Sequence, residues 1–374
     1  MTTYLFSISI GPVQEFIAAA RRTADLRAGS QLLQHLAKHV AQEVEKAGGK
    51  LIFPANTNVP GPNKVLAEIA TDQPSEIAER LRESAVQWLH EEWQQVHARL
   101  KSAGVAVIDD LAQGQISHFL EFYAAWVPLE GDYTAARERV EALLAGRKAL
   151  RDFSQPASVH GIPKSPLDPS RDCALLLNRK GSSYSVPESA QRLPSLRLKK
   201  TEFLDAVSLL KRAQDARDVP STSLMAAQSI LPLAEKRVPE AVQTLRTVAQ
   251  SSQGAVDVGD LMFPSRLQEE MSEVPALQEQ KERVERARRD ILTSVGLSEC
   301  PAYYAILAAD GDRMGKLISA QNTVDEHRQL SEAVAEVAKR MTEAIRQHDG
   351  YCVYAGGDDV LALLPVNQAL ECAT

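Results

Sequence analysis

The amino-acid sequence predicts an α+β fold in which two ferredoxin-like units are separated by a mostly helical domain. Two observations support this class. A strand–helix–strand–strand order occurs near both ends of the chain, and the middle of the chain carries helical patterns joined by long loops. We therefore expect three domains, at residues 1–131, 132–299 and 300–374, the last of which is an incomplete copy of the ferredoxin-like pattern.

The first unit begins with an apolar strand, TYLFSISIGP, that stops at a Gly-Pro pair. A helical pattern follows from about residue 13 to residue 47 and ends at Gly48-Gly49, as expected of a glycine C-terminal cap. Two more strands, a second helix over 74–104 and a fourth strand, FLEFYAAWVPL, complete a βαββαβ order. Nucleotide-polymerising palm domains share this order.

The middle of the chain differs in character from its two ends. A Pro/Ser-rich stretch, SQPASVHGIPKSPLDPSRD, interrupts the helical patterns and predicts a long surface loop. The predicted helices lie at 133–150, 201–213, 221–250 and 265–293.

The last unit repeats the order of the first. AYYAILAADGD predicts a strand that ends in carboxylates, a helix follows, and YCVYAGGDDVLALLPV predicts a hairpin. The strand end and the hairpin are 38 residues apart in the first unit (Gly11 to Gly49) and 40 in the second (Asp310 to Gly350). The repeat favours one unit with carboxylates and one degenerate partner, and a chance resemblance is the alternative.

Composition excludes several classes of protein. The chain of 374 residues is 44% hydrophobic and 24% charged, with a formal net charge of −7. No apolar run approaches the roughly 18 residues that a membrane span needs, and the N-terminus reads as a strand and not a signal peptide, so we expect a cytoplasmic protein. The four cysteines are far apart and form no C-x-x-C pair, so we expect no zinc site.

Four carboxylates fall where the strands of the second unit meet. Asp310 and Asp312 close one strand, and Asp358 and Asp359 lie at the tip of the hairpin. Close anions raise one another's pKa unless a cation neutralises them, and hard oxygen ligands suit Mg²⁺ or Mn²⁺. The alternative is that G-G-D-D is only a hairpin turn, since glycine and aspartate favour turns.

Glycines accompany both carboxylate pairs. DGDRMGK turns from strand to helix, so its backbone N–H groups are placed for a triphosphate and Lys316 for its charge. Gly356 and Gly357 leave the hairpin tip without Cβ atoms, which permits close approach of a nucleotide.

Five segments together resemble one known family. They are SISIGPVQEFIAAARRTADLRAGSQLL, GIPKSPLD, LDAVSLLKR, YYAILAADGDRMGK and VYAGGDDVLALLP, in that order along the chain. The sequence is similar to the large palm-domain (GGDD) subunit of type III CRISPR effector complexes, specifically the Cmr (type III-B) branch.

The resemblance implies a fold, an activity and partners. The fold would be two adenylyl-cyclase-like palm domains with a helical domain between them. The subunit would join other Cmr subunits, crRNA and target RNA, without a membrane. On binding target RNA, the second palm would convert ATP into cyclic oligoadenylates.

The resemblance also assigns residues. Asp310, Asp358 and Asp359 would be the catalytic and metal-binding residues. The nucleotide would be lined by residues of both units, which the resemblance and the motif chemistry give as Gly11, Gln14, Ser30, Gly311, Asp312, Met314, Gly315, Lys316, Ser331, Gly356 and Gly357.

Departures from the family pattern limit these expectations. Many members begin with an HD nuclease domain and many carry a cysteine zinc cluster, and we expect neither here. The second palm is incomplete, so whether this piece is active on its own stays open. A non-catalytic nucleotide-binding scaffold stays open as an alternative. A diguanylate-type cyclase is less favoured, because those enzymes pair two identical palms while this chain contains its own partner unit.

Overall fold

The computed structural model describes residues 1–58, 62–150, 158–193, 196, 198–214, 218–252, 256–274 and 276–374. The first four residues of the Pro/Ser-rich stretch, 154–157, lie outside this set. Among the described residues, none of the helices combines the length and the apolarity that a bilayer crossing requires.

The first unit has the predicted βαββαβ order around a four-stranded antiparallel sheet. Its strand order is β2-β3-β1-β4, the order of a ferredoxin-like fold. The strands are β1 (Thr2–Gly11), β2 (Lys50–Phe53), β3 (Lys64–Thr71) and β4 (Glu121–Pro128). The helices are α1 (Gln14–Ala18), α2 (Thr23–Lys46), α3 (Pro74–Ser102) and α4 (Asp109–Ser117).

Helices cover both faces of this sheet, which explains why β1 is buried without a break from Leu5 to Gly11. Phe6 packs with α2 and α3 in the core on one face. Leu5 packs on the other face against α5 (Tyr133–Ala149), the helix that follows β4. A strand that is covered on both faces is buried at successive positions, and in β1 the small side chains of Ser7 and Ser9 are buried with their apolar neighbours.

The single helix predicted over 13–47 is two helices, α1 and α2. The carboxylate of Asp25 accepts hydrogen bonds from the backbone N–H groups of Arg21 and Arg22, at 3.1 and 3.2 Å. Asp25 thereby caps the start of α2, because it satisfies N–H groups that the helix itself leaves unpaired.

The middle of the chain is mostly helical, as predicted. Its buried residues from 227 to 292 form an apolar core of their own, whereas those from 133 to 213 join the two cores of the first sheet. The single helix predicted over 221–250 is three helices, because Pro232 and Pro239 each lie in the first turn of a new helix, where the missing N–H costs nothing. A short hairpin was not predicted. The elements are β5 (Asn178–Lys180), β6 (Ser183–Ser185), α6 (Glu188–Arg192), α7 (Ala206–Arg212), α8 (Thr222–Ala227), α9 (Leu231–Arg237), α10 (Pro239–Ser251), α11 (Val258–Met262), α12 (Pro264–Glu273), α13 (Ala276–Glu279) and α14 (Lys281–Val295).

The second unit repeats the first part of the first unit. Its antiparallel sheet has the order β7-β9-β8, which corresponds to β1-β3-β2. The strands are β7 (Tyr304–Ala309), β8 (Tyr351–Gly356) and β9 (Asp359–Pro365). The helices are α15 (Met314–Ser319), α16 (Val324–Gln347) and α17 (Ala369–Cys372).

The two long helices correspond residue by residue. Helices α2 and α16 each have 24 residues, and Ser30 and Ser331 both occupy the eighth position. Each helix also packs against a strand of the other unit. The Arg27 guanidinium of α2 donates to the Val353 carbonyl of β8 at 3.3 Å, and Ser331 of α16 binds the backbone of Ala55 after β2. The contact between the units is thus reciprocal, because the long helix of each unit contacts a strand of the other.

Candidate metal and nucleotide site

Strand pairing in the second sheet brings three carboxylates together. Ala309, the last residue of β7, pairs with Val360 of β9, so Asp310 follows directly beside Asp359. Carboxylate oxygens of Asp310, Asp358 and Asp359 all lie within 4.8 Å of one another. The structure therefore places the three predicted metal ligands at one point, at the ends of two paired strands.

The three carboxylates of this cluster repel one another when ionised. The pKa of Asp359 is raised to about 6, chiefly by partial burial, and further by a hydrogen bond to Asp310 and the charges of Asp358 and Asp310. Burial also raises the pKa of Tyr354, and the two hairpin carboxylates contribute to that rise. A divalent cation would relieve this repulsion, and an all-carboxylate ligand set suits Mg²⁺ or Mn²⁺.

Gly311 allows the strand end to touch the hairpin tip. A Cβ atom at this position would lie 2.5 Å from the Cβ of Asp358 and 2.9 Å from the Cγ of Met314. Such distances are far shorter than any ordinary carbon contact, so only glycine fits without a shift. The first role of Gly311 is thus to seat the Asp310 turn against the hairpin.

Glycine is required at the two hairpin positions, 356 and 357, for different structural reasons. A Cβ on Gly356 would lie 2.5 Å from the hydroxyl of Tyr354, which donates a hydrogen bond to the Gly356 carbonyl at 3.2 Å. Gly357 has φ +65°, in the left-handed region, with open space around its missing side chain. Gly357 is therefore needed for the turn itself, and its open side is where a ligand has access.

The residues after the Asp310 turn are accessible to a ligand. Asp312 is exposed and is not one of the three grouped carboxylates. Gly315 and Lys316 are also exposed, and Met314 is half-buried beside Gly311. Helix α15 has only six residues, so phosphate binding there would depend on Lys316 and individual N–H groups and not on the dipole of a long helix.

The first unit contributes Gly11, Gln14 and Ser30. Gly11 ends β1 opposite Glu121, and Gln14 begins α1. Ser30 is 1% exposed, and its hydroxyl has no hydrogen-bond partner among the described residues. Ser331, its counterpart, is 5% exposed and accepts a bond from the Ala55 N–H. The two serines are equivalent in position and unlike in their bonding.

Tyr354 is a site residue that the sequence reasoning missed. Its ring fills the space under Gly356, and its hydroxyl fixes that glycine's carbonyl. The available signal was an aromatic side chain two residues before a Gly-Gly pair, because residues i and i+2 of a strand share one face.

Two family models match the two ends of the chain. The model for the second palm domain of Cas10/Cmr2 matches residues 303–374, and the model for the N-terminal region of the CRISPR-associated protein Cmr2 matches residues 5–113. The CRISPR system Cmr subunit Cmr2 of Pyrococcus furiosus is 38% identical over 98 residues, which cover 20% of this chain and 11% of that protein.

Two solved structures show the same fold over nearly the whole chain. The type III-B Cmr-beta complex in its apo state contains a chain that matches with a TM-score of 0.66 at 13% identity, covering 99% of this chain and 60% of that one. The Cmr-beta complex bound to cognate target RNA matches with a TM-score of 0.64 at 14% identity, covering 100% and 61%. This chain thus spans about three-fifths of those chains.

The motif order, the two family models and the Cmr2 relative agree, and the resemblance predicted from the sequence is confirmed. Both ends of the chain are thus similar to the Cas10/Cmr2 subunit of type III CRISPR systems, in its Cmr (type III-B) branch.

Proposed function

We propose that this chain acts as the large subunit of a crRNA-guided type III-B effector complex and converts ATP into cyclic oligoadenylates when the complex binds target RNA. One observation carries the catalytic part: carboxylate oxygens of Asp310, Asp358 and Asp359 lie within 4.8 Å of one another at the ends of paired strands. A hairpin turn without a ligand has no need for a third carboxylate from another strand.

Asp310, Asp358 and Asp359 would hold Mg²⁺ or Mn²⁺. The bound cation would help ionise an attacking hydroxyl and stabilise the leaving pyrophosphate. The raised pKa of Asp359 supports this assignment, because a carboxylate held among like charges is stabilised when a cation is bound.

The two units form the two sides of the proposed nucleotide site. The second unit would be the catalytic palm and the first its degenerate partner, since Thr57 and Asn58 occupy the sequence positions of Asp358 and Asp359. In this assignment residues 1–131 and 300–374 are palm domains and residues 132–299 form the helical domain.

Ser30 is the first-unit residue with the clearest reason to contact the nucleotide. A buried hydroxyl without a partner is unfavourable by about 1–3 kcal/mol, and the equivalent hydroxyl of Ser331 has one. A phosphate or ribose oxygen between the units would satisfy it. The other residues proposed to line the nucleotide are Gly11, Gln14, Gly311, Asp312, Met314, Gly315, Lys316, Ser331, Gly356 and Gly357.

The partners belong to the same proposal. We expect the chain to bind crRNA, target RNA and other Cmr subunits in the cytoplasm. A Cmr-beta complex whose chain shares this fold was determined with cognate target RNA bound.

The test is a reaction of the reconstituted complex with ATP, Mg²⁺ or Mn²⁺ and complementary target RNA, with products resolved by mass spectrometry. We expect cyclic oligoadenylates that require the target RNA and disappear in an Asp358→Ala/Asp359→Ala complex. If the complete complex binds ATP and gives no product, the chain is a nucleotide-binding scaffold. A parallel reaction with GTP tests the diguanylate-type alternative.

A further inference from the structure

A buried arginine holds the short helix that follows the Asp310 turn. Arg137 of α5 is 3% exposed, and its guanidinium donates hydrogen bonds to three backbone carbonyls at the end of α15. The acceptors are the carbonyls of Ile318 at 3.0 Å, Gln321 at 2.5 Å and Ser319 at 2.9 Å. Ile318 and Ser319 belong to the last turn of α15, where helix carbonyls lack their usual partners, and Gln321 lies two residues beyond it. The Ile318 carbonyl also accepts a hydrogen bond from the Gln321 N–H at 3.2 Å.

Arg137 is tied to α15 by these bonds and not by an ion pair. Within the described part of the chain, no carboxylate lies within salt-bridge distance of Arg137, while its guanidinium lies 5.7 Å from the centre of the Tyr133 ring. Removing a guanidinium from water is costly unless its N–H groups find acceptors, and hydrogen bonds from a charged donor are the strong ones. The position of the arginine and that of the three carbonyls therefore fix each other.

In the first unit, a buried lysine binds the carbonyls at the end of a short helix in a similar way. Lys211 of α7 is 1% exposed, and its ammonium donates to the carbonyls of Phe16 at 2.5 Å and Ala19 at 2.7 Å. These carbonyls lie at the end of α1, the short helix that corresponds to α15. Two buried cationic side chains, Arg137 and Lys211, thus bind the same end of the two equivalent short helices.

The other end of α15 leads directly to the carboxylate cluster. The helix begins at Met314, two residues after Asp312, and Met314 packs beside Gly311. Gly311 in turn lies against the Cβ of Asp358 with no space for a methyl group. A shift of α15 would therefore move Asp310 relative to the hairpin.

Helix α5 is itself anchored to the first sheet and to α16. Val140 and Leu144 are fully or nearly fully buried in the core that includes Val127 of β4. The hydroxyl of Tyr133 is hydrogen-bonded to the ring of His327 on α16 at 2.7 Å. Arg137 therefore projects from a rigid support.

We propose that Arg137 is a positioning residue: by fixing the end of α15 it holds the Asp310-Gly311-Asp312 turn against the hairpin and so sets the geometry of the carboxylate cluster. Its effect on turnover rests on the proposed function. Its effect on the turn and on cation binding does not.

The experiment compares Arg137→Gln and Arg137→Lys with a matched control, Arg139→Gln, which removes an exposed arginine from the same helix. Backbone hydrogen exchange is followed in peptides that cover residues 310–321, and Mn²⁺ alone is titrated and followed by electron paramagnetic resonance. We expect Arg137→Gln to speed exchange at 310–315 and to weaken Mn²⁺ binding about tenfold, the low end of the effect of outer partners on metal affinity. Arg137→Lys should recover part of both, and Arg139→Gln should change neither.

Turnover by the assembled complex adds a kinetic readout. We expect Arg137→Lys to lower kcat with little change in KM, because ATP still binds while the catalytic carboxylates are displaced. Because a smaller folded fraction would also lower the apparent kcat at unchanged KM, each rate is divided by the folded fraction measured in the same preparation.

Each outcome bears on the proposal. Exchange at 310–315 and Mn²⁺ affinity that match the Arg139→Gln control would overturn it. If Arg137→Gln does not fold, Arg137→Lys decides the question by the same two measurements. If Mn²⁺ does not bind the unchanged chain at the aspartates, the proposed function fails, and hydrogen exchange alone still decides whether Arg137 positions the turn.

Discussion

The hydroxyl of Ser331 accepts a hydrogen bond from the backbone N–H of Ala55 at 2.9 Å, across a sequence separation of 276 residues. Ser30 occupies the same position of the corresponding helix, and its buried hydroxyl has no partner among the described residues. The repeat is therefore symmetric in its backbone and asymmetric in its hydrogen bonds. The asymmetry lies where a nucleotide would be bound.

Alanine at the two serines should affect stability differently. Ser331→Ala leaves the buried Ala55 N–H unpaired, and we expect the free energy of unfolding to fall by about 1–3 kcal/mol. Ser30→Ala breaks no hydrogen bond within the protein and removes a buried unpaired hydroxyl, so we expect the free energy of unfolding to rise, by up to about 1–3 kcal/mol. Urea unfolding of both variants checks this, and equal losses of stability would contradict it.

Ser30→Ala should instead weaken nucleotide binding. If its hydroxyl bonds a phosphate or ribose oxygen, its removal costs one hydrogen bond, roughly three- to tenfold in affinity for ATP. Calorimetric titration of the complex with ATP and Mg²⁺ gives the measurement. An affinity equal to that of the unchanged complex would mean that Ser30 does not face the nucleotide.

The two carboxylates that follow β7 should differ in metal binding. Asp310 belongs to the cluster within 4.8 Å, and Asp312 does not. We expect Asp310→Asn to weaken Mn²⁺ binding by tenfold or more, because a direct ligand is lost. Asp312→Asn should have a smaller effect. Both substitutions remove one negative charge, and equal losses of affinity in the two variants would contradict direct ligation by Asp310.

Alanine at Gly311 should impair metal binding, whereas alanine at Gly315 should stabilise the fold. In Gly311→Ala the new methyl group overlaps Asp358 and Met314, and we expect the turn to be displaced and Mn²⁺ binding to be lost or weakened more than tenfold. Gly315 lies within α15 with open space around it, so Gly315→Ala should raise stability by up to about 1 kcal/mol. Thermal unfolding and Mn²⁺ titration of the pair test this. Unimpaired metal binding in Gly311→Ala would show that the contact is not needed.

Stability should fall in mild acid because of His327. Burial chiefly lowers the pKa of this histidine to about 4, and the positive charges of Arg137 and Lys64 add to the effect while Glu141 opposes it. Since its pKa is lower in the folded than in the unfolded chain, its contribution is complete above pH 6.5 and is lost as the pH falls from 6.5 towards 4. The loss between pH 7 and pH 5 should be about 2 kcal/mol.

The matched variant for this prediction is His327→Gln, which keeps a polar group beside the Tyr133 hydroxyl. Urea unfolding at pH 7 and pH 5 measures the difference for both proteins. We expect the pH dependence to be smaller by about 2 kcal/mol in the variant. An identical dependence in both proteins would show that His327 does not titrate between folded and unfolded states.

Much of the fold could be predicted from local patterns. The apolar strand before Gly-Pro, the Gly48-Gly49 pair after the first long helix and the hairpin around G-G-D-D depend on neighbouring residues alone. The pairing of Ala309 with Val360 also follows from the strand order, which explains why Asp310, Asp358 and Asp359 could be grouped in advance.

The contacts between the units could not be predicted. Arg137 and Lys211 bind backbone carbonyls, and a carbonyl acceptor has no signature in the sequence. The division of residues 13–47 into two helices depends on where Asp25 meets the backbone N–H groups of Arg21 and Arg22. Gly356 was read as a place for a ligand, whereas its missing Cβ makes room for Tyr354.

The contact of helix α16 with strand β2 has a consequence during synthesis. The first sheet is complete at residue 128, but the strand at residues 50–53 is covered by a helix that ends at residue 347. At about 5–20 residues per second, the ring of Phe53 waits roughly ten seconds or more for His327, and the Ala55 N–H waits as long for Ser331. An apolar strand edge exposed for that time is open to wrong pairings with other chains. The first unit is therefore most open to wrong pairing during synthesis, in the interval before helix α16 emerges.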